Sequence, residues 1–270
     1  MSDNAVPSRK EWLRAYVILY VVFLYTPVLV LPLFSFNDSL YVAFPLKGFT
    51  FGWYKAMFAD PRIRDSFLNS LMVALTASCC ATLAGTLTAY TLVRRKSVLG
   101  RVVSLAGSLP LVVPGIVLGI GLLVIVNLVG LGPSLPAVML GHICVCFPLT
   151  CVIMRGRFQT YSSTIEEAAL DLGASAWQVL WRISLPIVMP GIFSCLVLSF
   201  TTSFDEFIVS YFLTGSRQTL PVFIWSNLRY AEQLPKILAL GTIIFLASAV
   251  LVGGTELLQA KLSSDRKRSD

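Results

Sequence analysis

Long apolar runs dominate this sequence, at residues 15–36, 66–93, 102–129, 135–154, 187–213 and 237–258. A helix rises 1.5 Å per residue, so about 20 apolar residues cross a hydrocarbon core about 30 Å thick. All six runs meet that length. Only 13% of the 270 residues are charged and 56% are hydrophobic, whereas a soluble domain carries roughly 25% charged residues. A soluble globule, a disordered chain and a disulfide scaffold are thereby excluded. The expected fold is an all-α membrane protein with six transmembrane helices.

Lys and Arg set the orientation of such a chain. Fourteen lie on one side, among them Arg94, Arg95, Lys96, Arg101, Arg155, Arg157 and Arg182; seven lie on the other, from Lys47 to Lys236. Both termini are therefore expected in the cytoplasm. The net charge of +7 is spread between apolar runs, the pattern of membrane topology and not of a nucleic-acid-binding face. The first run is longer than a signal-peptide core and no A-x-A-like site follows it, so it reads as a retained anchor. Pro27, Pro32, Pro110, Pro114, Pro148 and Pro190 fall inside expected spans and should bend them. Gly115, Gly119 and Gly121 after Pro114 suit a kinked, closely packed helix.

Enzyme chemistry has little to work with. Cys79, Cys80, Cys144, Cys146, Cys151 and Cys195 all fall in expected spans and make no C-x-x-C pair. His142 and Cys146 share a helix face, which leaves a metal site or simple packing open, with packing the simpler reading. The phosphate-cradling G-x-x-x-x-G-K-[ST] pattern is absent, so no cofactor is expected on this chain and any nucleotide would be bound elsewhere.

The connection 155–186 carries helix signals. Ser163 with Glu166 and Ser175 with Gln178 each fit a capping box, Gly173 stands at a helix C-terminus, and Pro186 should stop a short apolar helix. The resulting knob either lies on the membrane as an amphipathic surface helix or plugs into a partner's groove. Its residue order, Glu167-Ala168-Ala169, Gly173, Ile183, Leu185-Pro186, resembles the EAA motif of permease subunits of binding-protein-dependent ABC importers. Ser35-Phe36-Asn37, Gly48-Phe49-Thr50, Trp53-Tyr54, Gly141-His142, the stretch 203–215 and Thr219-Leu220-Pro221 extend the resemblance to the polyamine-importing branch of that family. The resemblance implies a type I importer permease architecture. In it, 1–14 and 259–270 are cytoplasmic tails, 15–65 holds the first span and a periplasmic loop, and 66–258 is the permease core with its coupling loop. It also implies that the Glu-Ala-Ala helix docks into a dimer of ATPase subunits, where ATP and Mg are bound. A second permease subunit, a periplasmic binding protein and a bacterial inner membrane complete the implied setting.

Asp205 and Glu206 lie in the fifth apolar run, where each ionised side chain costs about 2.5–3.5 kcal/mol on insertion scales. Ser199, Thr202 and Ser210 stand at helical spacing to Glu206, whereas Phe200, Phe204, Phe207 and Tyr211 form a separate aromatic stripe suited to packing. Two carboxylates beside an aqueous path favour an organic cation. The alternative is a structural pair that fixes subunit assembly. The resemblance, with a cation-favouring carboxylate pair beside it, implies ATP-driven import of polyamines such as putrescine or spermidine by alternating access. Another amine, an opine or an amino-acid derivative is the nearer alternative, and an ion-coupled carrier or channel the more distant one.

Overall fold

The computed structural model describes residues 9–95 and 97–250. The described secondary structure is helical, apart from one isolated antiparallel bridge between Asn37 and Phe49. The described residues fall into two compact units, one from the chain ends (up to residue 61 and from residue 224) and one from the residues between. The last eight residues of the expected sixth span, 251–258, lie outside the described residues.

In the terminal unit, α1 (Arg9–Ser35) presents almost all of its apolar side chains to the outside of the single chain. Such a surface needs lipid or another apolar partner. After α1, the chain folds on Asn37, whose side-chain oxygen accepts from Lys47 N at 2.9 Å and whose carbonyl accepts from Trp53 Nε1 at 2.9 Å. Phe36, Phe49, Phe51 and Tyr54 pack around that turn, next to α2 (Gly52–Ala59). Lys236 pairs with Asp60 at 3.1 Å just inside α13 (Leu234–Val250).

The central unit is built on α3 (Pro61–Arg94), α7 (Leu135–Thr160) and α10 (Leu185–Asp205). Small residues decide how α3 packs: Ala74, Ala77, Ser78, Ala81, Gly85 and Ala89 are all buried on it. A methyl group on Gly85 would come within 2.1 Å of Thr150 Oγ1, so only glycine permits this approach of α3 to α7. Four helices among the described residues are long and apolar enough to cross a membrane: Trp12–Ser35, Pro61–Arg94, Leu135–Thr160 and Ala176–Asp205.

Two expected spans are interrupted. The run 102–129 is divided among α4 (Val98–Gly107), α5 (Leu109–Val112) and α6 (Gly115–Leu128). Val113 and Pro114 are extended between α5 and α6, because proline disfavours the α conformation in the residue before it. The run 187–213 ends as a helix at Asp205, turns at an extended Glu206, and resumes as α11 (Ile208–Leu213). α12 (Leu220–Asn227) follows.

Pro186 does not stop a helix. A π-helical segment, Leu180–Ser184, joins α9 (Ala176–Val179) to α10, and the Leu185 amide reaches back to Leu180 O. The i→i−5 register absorbs the change in hydrogen bonding, and Pro186 falls in the first turn of α10, where a missing N–H costs little.

Candidate functional site

The first candidate region is the connection from α7 to α10. Its first helix, α8 (Thr164–Asp171), has no cap from Ser163; Ser162 Oγ instead accepts from Thr164 N at 3.2 Å. The expected Ser163–Glu166 capping box is therefore not formed. Glu166 has turned inward, where a desolvated cation competes better for it than a solvated amide. It is 6% exposed, and its Oε1 receives Arg94 Nε at 3.2 Å, Ser184 Oγ at 2.6 Å and the Tyr161 hydroxyl. Arg94 also donates to Tyr161 O at 3.1 Å and lies 4.3 Å over the Tyr161 ring. Burial, together with the Glu166 carboxylate as acceptor, pushes the Tyr161 phenol up from its ordinary value. The phenol thus remains a donor at neutral pH.

Beyond α8 the chain reverses at Gly173, whose φ of +87° is left-handed. Open space surrounds that α-carbon, so conformation, not crowding, demands glycine there. The second expected capping box is present: Gln178 N donates to Ser175 Oγ at 3.3 Å, and Ser175 N donates to Gln178 Oε1 at 2.8 Å. Glu167, Ala168, Gly173 and Pro186 are exposed, while Ala169, Ile183 and Leu185 are half-buried. Leu185 packs on a core that includes Tyr90, Met154 and Phe158. Leu172 at 90% exposure and Trp177 at 66% leave apolar surface on the knob, and Trp181 meets Trp177 edge to face.

The second region is the break between α10 and α11. Glu206 Oε1 accepts from Val209 N at 3.0 Å, so this carboxylate caps the new helix and meets its positive end. Asp205 beside it is exposed in the single chain, and Thr202 is half-buried. Ser199 is fully buried, and its hydroxyl has no hydrogen-bond partner among the described residues. Adjacent in sequence, the two carboxylates therefore have different surroundings.

A histidine bridges the break. His142, 1% exposed on α7, lies 2.7 Å from Ser203 Oγ before the break and 2.7 Å from Ser210 Oγ after it. The Ser210 hydroxyl gives its one proton to the Glu206 carbonyl at 2.9 Å, so it accepts from His142 Nε2–H. His142 Nδ1 is left to accept from Ser203. Both ring nitrogens are engaged, and no cluster of three metal-ligating residues occurs among the described residues. Neither a metal site nor simple packing describes this hydrogen-bonded bridge. Close approach of α11 is secured by glycines: a methyl on Gly141 would come within 2.6 Å of Leu213, and one on Gly119 within 2.5 Å of Phe212. Beyond α11, Asn69 donates to Gln218 O at 2.9 Å and accepts from Arg217 Nη2 at 2.8 Å. The aromatic stripe divides into Phe200–Phe204 and Phe207–Tyr211 pairs on either side of the break.

Comparison with known proteins gives this architecture a place. PotC of Haemophilus influenzae, a spermidine/putrescine transport system permease protein, is 33% identical over 92% of this chain and 96% of its own length. PotI of Escherichia coli K12, a putrescine transport system permease protein, is 32% identical over 98% of this chain and 97% of its own. Among solved structures, a chain of a bacterial ABC transporter that imports the acidic polysaccharide alginate superposes with a TM-score of 0.70 at 16% identity. That superposition covers 95% of this chain and 99% of the other. A chain of the MetNI methionine ABC transporter covers 78% of this chain and 98% of its own, with a TM-score of 0.56 and 16% identity. These two likenesses concern the fold. Residues 81–264 match the binding-protein-dependent transport system inner membrane component, and the chain belongs to that family, as a membrane-embedded transport permease and not an enzyme.

Proposed function

We propose that this chain is one half of the transmembrane pathway of an ATP-driven importer for polyamines of the putrescine and spermidine class. Both termini and the α8–α9 knob face the cytoplasm. The Glu167-Ala168-Ala169 face, with Gly173 as its turn, docks on a separate ATPase dimer that binds ATP and Mg. A second permease subunit completes the pathway, and a periplasmic binding protein delivers the substrate. Closure of the ATPase pair switches access through the two permeases, which requires ATP to bind the two states with different affinity.

The observation that carries the substrate class is the helix break at Asp205–Glu206. An exposed carboxylate within an apolar segment must meet water or a partner, and Asp205 is exposed in the single chain. Placed along an aqueous path between two permeases, it attracts a cation and repels an anion. Thr202, half-buried one turn before Asp205 on α10, adds a hydroxyl near that carboxylate, and Ser199, a further turn back, is a buried hydroxyl with no hydrogen-bond partner among the described residues. The PotC relative is named for spermidine and putrescine and the PotI relative for putrescine, which supports the reading. For Glu206, the amide of Val209 on its carboxylate favours a helix-capping part alongside any contact with substrate.

The test is ATP-dependent uptake of labelled putrescine and spermidine into proteoliposomes that hold the complete complex, competed with neutral, zwitterionic and anionic amino compounds. Polyamine uptake should be blocked mainly by cations. Asp205→Asn should lower it about tenfold, equivalent to roughly 1.4 kcal/mol of lost charge attraction, with the complex intact. Loss of the complex in that variant would assign Asp205 to assembly. ATP-dependent uptake of a competitor without polyamine uptake would replace the substrate.

A further inference from the structure

Glu166 is the one buried residue of α8. Its neighbours on that helix face outward or are half-buried: Ile165, Glu167, Ala168, Leu170 and Asp171 are exposed. A short helix ordinarily rests on an apolar stripe, but here the inward-facing position is a carboxylate. Its partners come from three other parts of the fold. Arg94 closes α3, Tyr161 caps the C-terminus of α7, and Ser184 ends the π segment that leads into α10. All three donate to the same oxygen, Oε1. Arg94 closes the loop by also holding Tyr161 through its carbonyl and its ring.

Apolar contacts are non-directional and let a helix slide, whereas hydrogen bonds that converge on one atom fix both position and direction. We propose that Glu166 is a positioning residue for coupling: it ties α8 to the ends of α3, α7 and α10, so that displacement of the docked knob moves these three helices together. The Asp205–Glu206 break lies at the far end of α10, so that helix joins the two sites. This inference rests on the proposed docking of α8 on an ATPase. The π segment at the junction is a register change through which a push on α8 enters α10.

The experiment uses the complete complex in proteoliposomes and measures substrate moved per ATP hydrolysed at equal amounts of assembled complex. Tyr161→Phe and Ser184→Ala each remove one donor and keep the ion pair. Each should lower the ratio about fivefold, the low end of energetic coupling between distant sites, and Glu166→Gln should lower it further. The paired change Arg94→Met with Glu166→Leu separates coupling from support, because a buried ion pair replaced by apolar side chains commonly keeps a fold stable. In that double variant, assembly should be retained and the ratio should stay low. An unchanged ratio in all four proteins would overturn the proposal. So would a double variant that recovers the ratio together with assembly, or losses confined to the yield of complex, since a plain anchor behaves that way. If the wild-type complex shows no substrate-stimulated ATP hydrolysis, the docking of α8 itself falls and takes this inference with it.

Discussion

Two polar clusters stand in the central unit, and they are built in opposite ways. At the α8 end, Arg94, Tyr161 and Ser184 saturate one oxygen of Glu166, and the ionic side chains on both sides are almost wholly covered. At the α10–α11 break, a neutral imidazole spans two hydroxyls, the Ser199 hydroxyl has no partner among the described residues, and Asp205 is exposed. A saturated network is rigid and has little to offer another group, whereas a part-satisfied one can still take a hydrogen bond from a newcomer. In the proposed function, the first cluster would transmit force, and the second would meet a passing ligand through its exposed member, Asp205.

Removing one charge from the closed cluster should have the largest effect. Arg94→Met leaves Glu166 buried and unpaired, and should destabilise the central unit by about 3–5 kcal/mol, read as a lower unfolding temperature of the complex in detergent. A loss below about 1 kcal/mol would mean that water reaches the pair, as at a surface ion pair, and the contrast between the clusters would collapse. Next in size is His142→Leu, which keeps the bulk but strands Ser203. Interhelical hydrogen bonds in membranes contribute modestly, so about 1–2 kcal/mol is expected. A larger loss would show that the staple, not the packing of α11 on α6 and α7, holds the break. Smallest is Ser199→Ala. Its buried hydroxyl has no hydrogen-bond partner among the described residues, so stability should change by less than about 0.5 kcal/mol, while a drop in polyamine uptake at unchanged stability would place that hydroxyl on the substrate path. Lost stability would instead give the hydroxyl a structural bond and make the open cluster closed.

Turn and capping patterns read correctly where no distant residue competed for the groups involved. Gly173 and the Ser175–Gln178 box stand as expected, because φ sign and capping depend on residues three or four positions apart. Ser163–Glu166 has the same spacing and fails, because Arg94 lies 72 residues away in sequence and takes the carboxylate. Neither glycine nor proline occurs from 203 to 213, so nothing local announced the break at Glu206. Pro186 announced a stop that the π register made unnecessary.

By itself, the sequence determined that this chain is helical and lives in a membrane, because run length and missing charge leave a backbone no other way to be satisfied in lipid. It also determined which segments bear the polar residues. Only the tertiary structure decided what those residues do. A buried carboxylate or imidazole takes whichever donors the fold brings within about 3 Å, and here they come from helices far apart in the chain.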